Sequence, residues 1–435
     1  MVPLLLALAV PCADAMTLEE AWQAVETRGQ EGTFVEEQRR QASIVRTQAL
    51  AAFSPKVNLG GNYTVNEREV KLDFGNSFPP EMIELIENFT GTAPDFGPPR
   101  VIQRKSFFDA NLTVVQPIVS ARALPGWMAA NAMARAGDAQ ADAARGTLRA
   151  GVARAYWAVV VARDGASVAR AAQDVALRHE AQVQALVAAG SATRQAALQA
   201  AMAVARAERE NAAAETRRTQ AETAFAALVG TSPEVELVLP ATRVLPWSRV
   251  EDVLQDARAH RPELAAATEA QRAARATLAA AHLAWLPTVD GRFTQMWTEN
   301  TGFNGEPWNW MAVANASWSL WDGGFRVAEQ QRAASQARMA DAGATKAWED
   351  AEIEIRTAWE EHDRARRAEE AATRELALAE ENLRLAEASH GAGASTFLEL
   401  DDARLARDAA RLARMAERMG ADLAALALLR AAGRI

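Results

Sequence analysis

Cysteine is almost absent from this chain of 435 residues, and the only one, Cys12, lies near the N-terminus. The segment around it, MVPLLLALAVPCADA, combines an apolar stretch over 4–10 with an Ala-x-Ala sequence at 13–15, which is typical of a secretory signal peptide. No Lys or Arg precedes the apolar stretch, yet the pattern still predicts a signal peptide over 1–15. The mature chain would then contain no cysteine, which excludes disulfides and thiol chemistry.

Several further features are missing. After the leader no run of 18 apolar residues occurs, so no transmembrane helix is expected. The motifs of P-loop, Rossmann and Ser-hydrolase enzymes are absent, and the five histidines show no metal-ligand spacing, so we expect no enzyme, metal or cofactor. The net charge of −9 and the lack of a basic stripe with interleaved aromatics argue against a nucleic-acid partner.

What the chain does contain is alanine and an internal repeat. Much of its 49% hydrophobic content is Ala, which favours long helices in close contact over one thick core. Shifting the sequence by 232 residues aligns 18–55 on 250–287, including Pro55 on Pro287. A shift of about 202 aligns QPIVSA (116–121) on WSLWDG (318–323), and one of 203 aligns 190–200 on 393–403. The sequence therefore predicts two copies of one structural unit.

Each copy should run helix, strand, loop, strand, long helix, turn, helix. We predict a first repeat over 16–230, a connector or equatorial segment over 231–249, and a second repeat over 250–435. The predicted strands cover 56–66, 105–119, 288–298 and 307–321. The tip turns are expected near 190 and 393. The first copy carries about 30 extra residues, roughly 67–104, which are expected to form a long loop with at most a helical turn.

The four predicted strands alternate between apolar and polar residues. Val57, Leu59 and Tyr63 would share one face of the first strand, and Trp308 and Trp310 would share one face of the last. Segments of about ten residues with this period are typical of lipid-facing barrel strands, although soluble hairpins show the same pattern. Because four strands cannot close a barrel, lipid-facing strands would require several chains, and three chains would supply twelve strands.

The helices provide a second constraint. Two stretches of about 66 residues, from about 124 to 190 and from 325 to about 391, would form rods of roughly 100 Å. The other helices (about 17–53, 194–229, 250–285 and 396–430) have about half that length. Two short helices end to end would match one long helix, an arrangement that suits the wall of a tube.

These features together resemble the TolC-like outer membrane factors of Gram-negative bacteria. The resemblance rests on the two helix–Pro–strand–strand–helix copies, the LWDGG sequence at 320–324 and the paired Gly-x-x-Thr turns, and it covers the whole mature chain. It implies a mixed, mainly α fold and a homotrimer in which a 12-stranded outer-membrane barrel in lipid continues into a 12-helix periplasmic tunnel. It also implies the exit duct of a tripartite efflux pump or type I secretion system, reached through a periplasmic membrane-fusion adaptor and an inner-membrane pump of RND, ABC or MFS type.

The resemblance also assigns roles to individual residues. Pro55, Pro287, Asp322, Gly323 and Gly324 would form the strand–helix transitions, with Asp322 capping the helix that follows. The periplasmic tips, where the adaptor docks, would comprise Gly190, Thr193, Arg194, Gly393 and Thr396. By position, Glu399 and Asp402 would form the acidic pore constriction, and Arg194 would latch the closed state through a neighbouring carboxylate. A solvated helix face explains the same acidic residues.

One other class of protein fits part of the pattern. A soluble periplasmic coiled-coil scaffold or adaptor would also contain long Ala-rich helices, but adaptors have one helical hairpin rather than two copies with barrel-like strands. Such a scaffold would be released without detergent, whereas a duct would not. The cargo and the partner pump are left open by the sequence.

Overall fold

The computed structural model describes residues 15–302, 305–392 and 394–435, so the predicted tip residue Gly393 and almost all of the predicted leader lie outside the described residues. The chain forms two compact units. The first contains the residues up to Ser43 together with Ala134–Ala270 and Ala340–Ile435, and the second contains Ile44–Met133 and Gln271–Met339.

Helices dominate both copies of the repeat. The helices are α1 (Leu18–Arg28), α2 (Gln30–Leu50), α3 (Pro80–Thr90), α4 (Ala123–Ala188), α5 (Arg194–Val229), α6 (Val250–His260), α7 (Pro262–Leu283), α8 (Phe325–Gly391) and α9 (Phe397–Ala431). The strands are β1 (Lys56–Val65), β2 (Val70–Leu72), β3 (Arg100–Gln103), β4 (Ser106–Val119), β5 (Thr288–Thr298) and β6 (Trp308–Ser317). In the described part of the chain, no helix combines the length and apolar character that a membrane span requires.

The single helices expected over 17–53 and 250–285 are each broken in two. Gly29 ends α1 with extended backbone, and a Cβ there would approach the Val25 carbonyl oxygen to 2.5 Å. Arg261 separates α6 from α7 and is also extended, because the proline that follows it disfavours helical backbone. Positions 29 and 261 are equivalent in the repeat, so the two copies break at the same point by different chemistry.

Four strands of the second unit form one antiparallel sheet in the order β1-β4-β5-β6. The register places the expected apolar faces of neighbouring strands side by side. Three rows cross the sheet: Val57, Val114, Phe293 and Ala312; Leu59, Leu112, Gln295 and Trp310; Gly61, Ala110, Trp297 and Trp308. Leu59 is 81% exposed and Trp310 is 68% exposed. One face of the sheet is therefore apolar and uncovered by the chain's own residues.

The opposite face of the same sheet is more polar. One of its rows contains Asn58, Thr113, Thr294 and Met311, and the hydroxyls of the two threonines lie 3.4 Å apart. Among the described residues, β1 and β6 each pair on one side only, so both edges of the sheet have free backbone groups.

The extra residues of the first copy are more ordered than expected. Instead of a loop with one helical turn, they contain the β2–β3 hairpin, a 3₁₀ turn at Gly75–Ser77 and the 11-residue helix α3. Proline at the first position of α3 suits a helix start, because its missing N–H would have no partner there, and Gly91 ends the helix in left-handed backbone.

One predicted strand is shorter than expected. The strand β6 ends at Ser317, whereas the prediction covered 307–321. In the connector, Leu237 forms an isolated bridge with Met16.

The core of the first unit lies where the connector meets the helices. Tyr156 and Trp157 of α4 are fully buried there, together with Phe225 of α5. The Tyr156 hydroxyl donates to the Met16 carbonyl oxygen at 2.8 Å, and burial raises the pKa of Tyr156 to about 12. This tyrosine therefore remains a hydrogen-bond donor and ties Met16, just before α1, to α4.

Candidate functional site

The strand–helix transition of the second copy is organised around Asp322. Its carboxylate accepts hydrogen bonds from the Arg326 backbone N–H at 3.2 Å and from Arg326 Nε at 2.7 Å. The Arg326 guanidinium lies 4.3 Å from the ring of Trp285, near the end of α7. Gly323 and Gly324 both have positive φ, 70° and 87°, which glycine adopts without strain. These contacts fix the angle at which the chain leaves β6 and enters α8.

The predicted prolines lie directly before strands. Pro55 precedes β1 and Pro287 precedes β5. A proline cannot continue the hydrogen bonding of the preceding helix, so both copies of the repeat change from helix to strand at these points.

The turn between α4 and α5 contains three of the predicted tip residues. Gly190 has φ 74°, and the next residue, Ser191, donates its N–H to the Leu186 carbonyl oxygen at 2.8 Å, which ends α4. Thr193 begins α5 by accepting from the Ala196 N–H at 3.2 Å. Arg194 is exposed and forms no ion pair with any residue that the structure describes, so the predicted latch is not made within one chain.

The turn between α8 and α9 contains the two acidic candidates. Thr396 and Glu399 form a capping box: the Glu399 carboxylate accepts from the Thr396 N–H at 2.8 Å, and the Thr396 hydroxyl accepts from the Glu399 N–H at 3.3 Å. Glu399 and Asp402 are both exposed on the first turns of α9. The structure therefore gives Glu399 a local capping role, which does not depend on its facing a pore.

A cluster of aromatic rings joins α4 to the turn between α8 and α9. The His179 ring of α4 stacks on Phe397, the first residue of α9, with ring centroids 3.3 Å apart and planes within 2°. The His390 ring of α8 lies 6.3 Å from Phe397, and His390 Nδ1 is 3.1 Å from the Ser395 carbonyl oxygen. No sequence pattern indicates this cluster, since its members are far apart in the chain.

Acid is expected to loosen this aromatic cluster. Burial lowers the pKa of His179, although the nearby Asp401 opposes the effect. The unfolded chain then binds a proton at a higher pH than the folded tip does, so tip stability should fall as the pH drops below about 6.5. We expect amide protection factors over 394–400 to decrease between pH 7.5 and pH 5.5 in hydrogen-exchange mass spectrometry. In His179→Gln, the protection factors should be equal at the two pH values. A decrease in that variant as large as in the native protein would contradict the assignment to His179.

A cluster of contacts around the buried Asp422 carboxylate holds the connector against the helices. Asp422 of α9 is only 6% exposed and accepts from Trp157 Nε1 at 2.7 Å, while Arg243 Nε of the connector lies 3.1 Å from its other oxygen. Burial raises the pKa of Asp422, whereas the Trp157 N–H and the Arg243 guanidinium favour the charged form. Arg243 also pairs with Glu19 at 3.2 Å. We refer to Asp422, Arg243 and Trp157 as the connector clamp.

A second ion-pair cluster joins the break between α6 and α7 to α8 and α9. Arg261, 8% exposed, pairs with Glu354 of α8 and donates to the Ala431 carbonyl oxygen at 3.2 Å. Glu354 also pairs with Arg430 of α9 at 2.8 Å. These contacts position helices and involve no reactive group. Across the described residues, no group of three or more His, Cys, Asp or Glu is placed to hold a metal ion.

Comparison with known proteins identifies the family. The chain matches the outer membrane efflux protein family over residues 35–231 and 253–434, which is most of its length and both copies of the repeat. No curated protein sequence matches it at a significant level.

Three solved structures share the fold. The outer membrane protein VceC of Vibrio cholerae is 18% identical with a TM-score of 0.70, and the alignment covers 96% of each chain. The CmeC outer membrane channel of Campylobacter jejuni is 13% identical with a TM-score of 0.74, covering 96% of this chain and 85% of that one. A membrane protein from Pseudomonas aeruginosa is 20% identical with a TM-score of 0.72, covering 96% and 90%.

Members of the matched family are passive homotrimeric channels that couple to adaptors and inner-membrane pumps. The mainly helical repeat with a four-stranded sheet agrees with that family, and the soluble scaffold is not favoured. The chain therefore belongs to the outer membrane efflux protein family and is an outer-membrane channel, with its helices in the periplasm, that serves as the exit duct of an efflux pump.

Proposed function

We propose that three copies of this chain close a 12-stranded barrel in the outer membrane. The observation that carries this proposal is the sheet, whose apolar side chains line up in register on one face while both edge strands have free backbone groups. Unpaired strand edges are not tolerated in lipid, and closure into a barrel is the arrangement that pairs all of them. Pairing of β1 of one copy with β6 of the next, repeated around a three-fold axis, satisfies both edges.

The barrel would be lined by polar groups and covered by apolar ones. Rows such as Asn58, Thr113 and Thr294 would face the water-filled interior, and rows such as Leu59, Leu112 and Trp310 would face lipid. The tryptophans of β6 and of the segment after it, Trp308, Trp310, Trp318 and Trp321, are 60–82% exposed, as expected for side chains at the membrane interface.

The periplasmic part would be a 12-helix tunnel. Each of the three chains would contribute four helical rows. Two rows are α4 and α8, and each of the other two consists of shorter helices placed end to end. The connector over 231–249 would pack beside them as an equatorial segment, as its hydrogen bonds to Met16 and its ion pair with Asp422 support. The domain boundaries predicted from the repeat are retained in this proposal.

The tip turns would bind the periplasmic adaptor, and the adaptor would link the duct to an inner-membrane pump of RND, ABC or MFS type. We assign this role to Gly190, Thr193, Arg194, Gly393 and Thr396, and the caps made by Thr193 and Thr396 support fixed starts for α5 and α9. Glu399 and Asp402 of three copies would surround the narrow end of the tunnel. Arg194 would reach a carboxylate of a neighbouring copy in the closed state.

The proposal is tested by mass and by conductance. We expect the mature protein to require detergent for extraction, to have the mass of three chains by size-exclusion chromatography with multi-angle light scattering, and to form conducting pores in planar bilayers. A stable monomer in the absence of detergent would overturn the proposal. A matched control is the isolated periplasmic fraction, in which a soluble scaffold would be found.

A further inference from the structure

The helix α3, in the loop between β1 and β4, has two contrasting faces. Glu84 and Glu87 lie on one side, and Glu81, four residues before Leu85, lies at the border between the two faces. On the other side Met82, Leu85 and Phe89 follow one another at helical spacing and are 46%, 70% and 91% exposed. We refer to these three apolar residues as the α3 stripe. Exposed large apolar side chains in such a row mark a contact surface.

The chain's own residues hold α3 but leave the α3 stripe uncovered. Ile83 and Ile86, on the flank of the helix, are half-buried. The rings of Phe78 and Phe96 stack across the loop with centroids 5.4 Å apart, and the β2–β3 hairpin closes its base. The helix is therefore held by other residues, and the α3 stripe remains available to a partner.

Charge distinguishes between the two surfaces that could cover the α3 stripe. Helices that lie on membranes present Lys and Arg to the anionic headgroups on either side of their apolar face. The helix α3 contains no Lys or Arg and has three glutamates, which anionic headgroups would repel. A protein surface therefore fits the stripe better than a lipid surface does.

Topology places that protein surface in a neighbouring copy. The α3 loop leaves from β1, an edge strand of the sheet, at the strand end opposite the helices. In the proposed trimer this end faces the cell exterior, and each β1 lies beside the adjoining copy. We propose that the three α3 helices of a trimer pack on one another through their α3 stripes and narrow the outer mouth of the duct. This inference rests on the trimer described under Proposed function.

The arrangement is electrostatically consistent and weak enough to open. When the stripes meet at the three-fold axis, Glu84 and Glu87 point away from it, and only Glu81 lies beside the contact, so most of the like charges are kept apart. Three side chains per copy form a small contact, but the barrel holds the helices close together and raises their effective concentration. The outer mouth would therefore be narrowed without being permanently sealed.

Cross-linking tests the contact directly. In a Cys12→Ser background, Leu85→Cys places a thiol on the α3 stripe, and Glu84→Cys places one on the opposite face as a matched control. After treatment of the detergent-solubilised trimer with a short bismaleimide, we expect covalent dimers from Leu85→Cys at a yield at least fivefold above that from Glu84→Cys. Equal or absent cross-linking in an intact trimer would overturn the contact. Absence of the trimer itself, measured by light scattering, would instead overturn the proposed function.

Two further measurements complete the test. The pair Leu85→Asn and Phe89→Asn should raise single-channel conductance about twofold, whereas Glu84→Gln with Glu87→Gln should leave it unchanged. Equal conductance of both pairs would contradict a narrowed mouth. If a dye on Leu85→Cys were quenched by brominated lipid in reconstituted vesicles, the stripe would be shown to contact lipid, and the proposal would be overturned.

Discussion

Replacing Asp422 with alanine is expected to destabilise the protein by about 1–3 kcal/mol, because the buried Trp157 N–H is left without an acceptor and Arg243 keeps only its ion pair with Glu19. The Arg243 guanidinium would lose its 3.1 Å partner, and the Trp157 N–H would lose its acceptor in a fully buried position. The connector would keep its backbone contacts with Met16, the hydrogen bond from the Tyr156 hydroxyl to the Val238 carbonyl oxygen, and the Arg418 hydrogen bond to the Pro240 carbonyl oxygen at 2.9 Å, so the loss should be partial. The effect should appear as a lower guanidinium midpoint of tryptophan fluorescence in detergent.

Two further variants separate the contributions within the connector clamp. Asp422→Asn retains an acceptor for Trp157 but no charge for Arg243. Its free energy of unfolding should therefore lie between those of the native protein and Asp422→Ala. Asp174→Ala removes an exposed carboxylate from α4 and should change stability by no more than about 0.5 kcal/mol. Similar midpoints for Asp174→Ala and Asp422→Ala would show that the clamp contributes little.

The repeat explains why much of this fold was predictable. Alternating apolar residues and the equivalent prolines define the strands, since the period of two and the loss of helical hydrogen bonding are local properties of the chain. The register then places Leu59, Leu112 and Trp310 on one face without further information. The sheet order needs contacts between distant segments, so the pairing of β4 with β5, which joins the two copies of the repeat, could not be predicted from the sequence pattern.

Other features depend on local chemistry that the repeat does not encode. Equivalent helices break at Gly29 and at Arg261 for different reasons. At Gly29 the chain lies so close to the Val25 carbonyl oxygen that a Cβ would not fit, and at Arg261 the following proline disfavours helical backbone. The order within the extra loop comes from packing of Phe78 on Phe96, which no periodic pattern indicates.

One residue of the connector clamp, Asp422, could have been predicted from the sequence as a buried carboxylate. Asp422 is the only charged residue in the run GADLAALALL at 420–429, and a lone carboxylate in such a segment indicates a buried partner. The identity of that partner, Arg243, is a tertiary fact. The aromatic cluster of His179, Phe397 and His390 gave no comparable signal, because single histidines in long helices show no pattern.

Neutralising Glu399 and Asp402 together is expected to remove most of the cation preference of the pore. If three copies of each carboxylate surround a narrow opening, they concentrate cations and exclude anions there. Glu399→Gln is the informative substitution because glutamine also completes a capping box with Thr396, so the start of α9 is retained while the charge is lost. We expect the cation-to-anion permeability ratio of the Glu399→Gln, Asp402→Asn variant to fall on the order of tenfold, measured from reversal potentials across a salt gradient.

Asp401→Asn provides the matched control for this measurement. It removes one charge from the same turn of α9, but Asp401 is half-buried and acts electrostatically on His179 rather than lying with the exposed pair. Its permeability ratio should therefore remain close to that of the native channel. Glu399→Ala, which loses both charge and cap, should also reduce amide protection over 396–400, whereas Glu399→Gln should not. A double variant with unchanged selectivity and an intact cap would show that these carboxylates form an ordinary solvated helix face, and the constriction would have to lie elsewhere in the duct.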